Sequence, residues 1–102
     1  MAISFDYNAT KRQVRDMKQI ASEMRAIANN DMQNTISQIK INWKGNTSNN
    51  FCSKYNTLKE RIITEARNID NAADTLDRLA ENIRESEERA EAILAEREAA
   101  KA

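Results

Sequence analysis

Apolar residues in the first half of the chain fall at Val14, Met17, Ala21, Met24 and Ala28, steps of three and four that draw a narrow stripe down one face of a helix. The stripe continues as Met32, Ile36, Ile39 and Trp43. From Met24 to Ile36 the steps are three consecutive fours, which shift the stripe locally as a stutter does. Asn29-Asn30-Asp31, all weak helix formers, sit at that point, so an irregularity is expected there. A break is not, because the pattern resumes. Ile20 and Ile27 lie beside the stripe and widen it beyond what one neighbouring helix requires.

The second half is more regular. Tyr55, Ile62, Ile69, Leu76, Ile83 and Ala90 recur every seven residues. Leu58, Ala72, Leu79 and Ile93 stand three places further on, with Glu65 and Ser86 as polar exceptions, and Ala66, Ala73, Ala80 and Leu94 flank these one place later. A seven-residue repeat of this length predicts helices packed at a shallow angle. Between the halves, Gly45 is expected to end the first helix in the left-handed conformation, and Asn46, Thr47 or Ser48 to cap the next. Trp43 is expected to plug the end of the bundle.

The pattern predicts an all-α chain in one domain over 1–102: a first helix over about 8–41, a turn over 42–47 and a second helix over about 48–97. Helices joined so tightly must run antiparallel. Folding about Gly45 pairs residues whose numbers sum to roughly 90 and brings Ile3 and Phe5 toward Leu79 to Ile83. A lone two-helix hairpin leaves its outer apolar edges wet and buries little against chain entropy, whereas a four-helix bundle dimer covers them. The residues expected at the dimer or partner interface are Ile20, Met24 and Ile27 of the first helix and Ile62, Ile69, Leu76 and Ile83 of the second. The pattern leaves open whether the second hairpin is identical.

Composition supports long helices. The chain has no proline, and Gly45 is its single glycine. Sixteen basic and sixteen acidic residues cancel, which argues against a nucleic-acid or anionic-membrane partner. The charge is unevenly placed: residues 1–45 hold seven basic against four acidic, and residues 81–102 hold four against seven. That makes the stretch after about residue 84 a charged, solvated tail. The N-terminal residues lack the apolar core of a Sec signal peptide, and no stretch is long and apolar enough for membrane insertion.

Nothing in the sequence suggests catalysis, a cofactor or a metal. There is no histidine, so the usual nucleophile–base pairs and Cys/His zinc sites are absent. The lone Cys52 reads as a small half-buried residue, with an intermolecular disulfide as the sharper alternative. Glu87 and Glu88, with Glu85 and Glu91, lie on an exposed charged helix and read as a solvated face. One glycine cannot make a phosphate-binding loop.

Trp43-Lys44-Gly45, in the turn of a helix–turn–helix chain of about a hundred residues, resembles the W-x-G motif of the WXG (ESAT-like) family of type VII secretion proteins. Only Trp43 and Gly45 carry over directly. The resemblance implies a non-enzymatic dimer, either a homodimer or a pair with a related hairpin, exported by the ATPase of a type VII system without a Sec signal. In that family the turn lies near the partner's C-terminal export signal, a tyrosine followed four residues later by an acid. Here Tyr7 is followed at that spacing by Lys11 and Tyr55 by Lys59; the tail has no tyrosine, and Leu94 with Glu98 is the nearest, weak substitute. The signal could then come from a partner such as an LXG-type toxin N-terminal domain, with this chain a cytoplasmic escort before export. A cytoplasmic coiled-coil adaptor is the alternative, and it gives no role to a tryptophan in a tight turn.

Overall fold

The structure, a computed structural model, describes residues 5–101, so Ile3 lies outside the described residues. Two antiparallel helical arms make a rod with extents of 86 × 18 × 15 Å. The first arm consists of α1 (Tyr7–Ala26), a π-helical segment (Ile27–Met32) and α2 (Gln33–Asn42); the second is one helix, α3 (Asn46–Lys101). No strand occurs among the described residues.

Asp6 starts α1, its Oδ1 accepting from the Ala9 amide at 2.9 Å. The first arm does not break where the apolar steps turn to four. Ile27 and Gln33 both keep right-handed helical dihedrals, and the wider π turns take up the shift. Val14, Ala21 and Ala28, seven apart, are buried, and Met32, which ends the wide turns, and Ile36 beyond them stay on the buried face at steps of four. The expected irregularity is therefore real, and its form is a change of helical pitch.

On α3 the buried apolar residues are Cys52, Ala66, Ala73 and Ala80. They fall on a single seven-residue column, whose missing member is Lys59. The Lys59 side chain is 13 % exposed, and its Nζ donates to Gln33 Oε1 at 2.8 Å across the hairpin. The stem lies in the seam while the ammonium reaches out of it. This corrects the sequence reading, in which the alanines flanked a seam of larger residues. Ala66, Ala73 and Ala80 are the centre; Ile62, Ile69, Leu76 and Ile83 are half-buried at its side, and Leu58 and Leu79 are exposed. Small side chains opposite Ala21 and Ala28 let two helix axes approach closely and push bulk to the edges.

The register agrees with a fold-back about Gly45. Lys11 meets Asp77 and Glu81, Lys18 meets Asp74, and Gln33 meets Lys59. Beyond Arg84 the second arm runs on as helix, every residue from Arg84 to Lys101 exposed. None of the helices among the described residues is long and apolar enough to cross a membrane.

Candidate functional site

Two features stand apart from the seam: the turn, and one edge of the hairpin. In the turn, the Trp43 amide still donates to Ile39 O at 2.8 Å, but Trp43 itself is extended (φ −130, ψ 116) and ends α2. Lys44 Nζ donates to Lys40 O at 2.9 Å, satisfying one of the last carbonyls of the arm. Gly45 has φ +119, a conformation that L side chains rarely adopt, and its carbonyl accepts from the Asn49 amide at 3.1 Å. A Cβ at Gly45 would meet nothing within 4 Å, so glycine is required by the backbone angle alone.

The turn is thus narrower than the expected 42–47, and the roles of its residues shift. Trp43 ends the first arm, and Gly45 starts the second. Ser48 does not cap an amide; its Oγ donates back to Trp43 O at 2.7 Å.

In the single hairpin the Trp43 side chain is only partly covered. It is 44 % exposed, as is Phe51. The indole lies 6.1 Å from the Phe51 ring at a 47° tilt, and Phe51 stacks on Tyr55 at 5.8 Å and 19°. The exposure has a simple cause: an extended residue leaving a helix end carries its side chain outward unless a neighbour covers it, and within one chain Phe51 props it from one side. Sequence reading passed over Phe51, although its i,i+4 spacing to Tyr55 at the start of a helix was a visible signal.

Along the rod the two edges differ. On one, Ile20 is 50 % exposed, Ile27 48 %, Leu58 49 % and Leu79 51 %. Met24 on α1 and Leu58 and Ile62 on α3 line one shallow groove, bordered by Arg61 and Glu65. Of the residues expected to meet a partner, the structure therefore brings Met24 and Ile62 together, leaves Ile20 and Ile27 out in solvent, and holds Ile69, Leu76 and Ile83 half-buried along the same side of α3.

The other edge is closed by ion pairs. Lys11 Nζ bonds Asp77 and, at 3.1 Å, Glu81; Lys18 Nζ lies 2.6 Å from Asp74, and Arg25 Nη1 2.6 Å from Asp70. Asp77 chiefly, then Glu81, pushes the Lys11 ammonium up to about 12. The Tyr7 hydroxyl donates to Glu81 and is the main cause of that carboxyl's lowered pKa, with Lys11 second. Lys18 lowers Asp74 in the same way. Tyr7 closes this end of the hairpin, its ring lying 4.4 Å from the Arg84 guanidinium.

Leu94 and Glu98 stand one helical turn apart on the exposed end of α3, and Leu94 is 58 % exposed. No group of three or more potential metal ligands occurs among the described residues. Cys52 is buried as a free thiol in the seam, deeper than the half-buried position expected of it.

The family model WXG100, described as proteins of 100 residues with WXG, matches residues 2–88. No curated protein and no solved structure matches the chain.

Proposed function

The chain belongs to the WXG100 family of small type VII secretion proteins, and from that premise we propose that it is a non-enzymatic subunit that works by pairing with a second helical hairpin. The observation that carries this reading is the unequal pair of edges. One edge is closed by Lys11, Lys18 and Arg25, while the other holds Ile20, Ile27, Leu58 and Leu79 about half in water, with Met24 and Ile62 in a groove between the arms. Full burial of such a side chain is worth about 1.5–3 kcal/mol and about half of that is still to be gained by each, so a second hairpin laid on that edge supplies what the first cannot alone. Ile69, Leu76 and Ile83 extend the same surface along α3.

The second hairpin is another copy, a related small protein or the N-terminal domain of an LXG-type toxin. Where that partner brings the export signal, this chain acts as its targeting escort. Leu94 and Glu98 offer only a weak substitute on an exposed helix. The exposed indole of Trp43 at the turn supports its role as a recognition group for the system's ATPase.

The test is to purify the chain, measure its mass, and then co-express it with products of neighbouring reading frames. A dimer alone, or a stoichiometric complex with one such product, supports the reading; a stable monomer that captures none of them sinks it. Culture medium from cells with and without the secretion ATPase separates export from the cytoplasmic-adaptor alternative. Equal amounts in both would leave the adaptor standing.

A further inference from the structure

Ser48 is the one buried polar residue of the described chain, at 2 % exposure, and it lies in the first turn of α3. Its hydroxyl does not take the common task of a serine there, which is to accept from an unpaired helix amide. It donates to the Trp43 carbonyl at 2.7 Å, five residues back across the turn. The Trp43 backbone is therefore tied at two points, its amide to Ile39 O in the arm it leaves and its carbonyl to Ser48 in the arm it enters. The ring is supported separately, by Phe51, which is itself stacked on Tyr55.

We infer that Ser48 and the Phe51–Tyr55 pair are positioning residues that hold the Trp43 indole preorganised and outward-facing for recognition. The functional motif of this chain thereby extends from Trp43-Lys44-Gly45 to Ser48, Phe51 and Tyr55. The physical reason is twofold. The Ser48 hydroxyl is itself buried, so its bond to the Trp43 carbonyl is costly to give up, and it fixes the direction in which Trp43 departs from the helix. Tilted and stacked aromatic neighbours then restrict the indole without covering it. A large apolar side chain left 44 % exposed would otherwise sample many rotamers, and ordering it at the moment of binding would weaken recognition. The inference rests on the reading of Trp43 as a recognition group.

Trp43 is the only tryptophan, so its fluorescence reports this site alone. The variants are Ser48→Ala, Ser48→Thr and Phe51→Leu in the full chain. Each is followed by acrylamide quenching and anisotropy of Trp43, by thermal melting, and by the amount of protein in the culture medium. Ser48→Ala is expected to keep its helix content, to quench more readily with lower anisotropy, and to be exported about fivefold less, the population change expected for one lost hydrogen bond of about 1 kcal/mol. Ser48→Thr restores both signals. Phe51→Leu reaches the same indole from the ring side and moves the fluorescence in the same direction, which keeps the inference testable if Ser48→Ala does not fold. A Ser48→Ala protein that melts lower but shows wild-type quenching and export would overturn the positioning role. If Trp43→Ala is itself exported normally, the recognition reading fails, and the quenching of Ser48→Ala then decides the positioning role alone.

Discussion

The two edges of the hairpin come from the same pair of helices, one column to either side of the alanine seam, yet they are finished to different degrees. On the first, Lys11, Lys18 and Arg25 recur every seven residues and each finds a carboxylate on α3. On the second, Ile20 and Ile27 also stand seven apart, beside Met24, and face water. The charged edge is complete within one chain, since exposed ion pairs need no further cover and contribute modestly. The apolar edge is not, because half-exposed isoleucine and leucine gain only when something excludes the water. The lesson is one of direction: one side leaves apolar surface still to be covered, and the other is held in register by charge.

The comparison breaks most decisively on the apolar edge. The double variant Ile20→Glu/Ile27→Glu is expected to abolish pairing, raising the dissociation constant of a complex by about two to four powers of ten. Sedimentation should then show the mass of a single chain, and an unchanged complex mass would mean that the partner sits elsewhere. Next in size is the seam between the edges. Ala73→Leu forces bulk into a position with no exposed surface, and overpacking of about 1–3 kcal/mol should lower the melting temperature by roughly 5–15 °C. The same alanine-to-leucine change at the exposed Ala72, one residue away, should leave the melt nearly unchanged.

The charged edge should give the smallest response. Lys18→Met is expected to shift the melt least, and added salt should reduce the difference from wild type. Its pH dependence sharpens the contrast. The Asp74 and Glu81 carboxyls are held below their ordinary values of 3.8 and 4.5, so their contribution is present above those values and is lost as pH falls through the lowered ones. The Lys11 ammonium is raised, so its contribution is whole below 10.5 and is lost as pH rises through about 12. Thermal melts should be flat between those limits. A sharp change near neutral pH would point to groups outside this edge.

Much of this arrangement is legible in the residues. The seven-residue repeat from Tyr55 to Ala90 announces the long second helix, the run of fours around Ala28 marks where the first arm changes pitch, and Gly45 marks the reversal. What the repeat does not say is which of several adjacent columns faces inward. Periodicity fixes the spacing of columns and not the rotation of the helix. Hydrophobic size points to Ile62, Ile69 and Leu76, but close approach of two backbones selects Ala66, Ala73 and Ala80. The charged edge had a signal of its own, since Lys11, Lys18 and Arg25 share the heptad spacing, as do Asp70 and Asp77. The turn was the least legible part. The bond from Ser48 to the Trp43 carbonyl depends on the paths of Trp43 and Lys44 as well as that of Gly45, and only Gly45 carries a local signal.

The unequal lengths of the arms have a mechanical consequence. α3 runs uninterrupted from just past the turn to Lys101, whereas α1 begins beside Arg84. Tension applied between the Trp43 tip and the Lys101 end runs down α3 alone, and α1, the π segment and α2 ride as unloaded cargo. The chain can be gripped at both extremities without levering its arms apart.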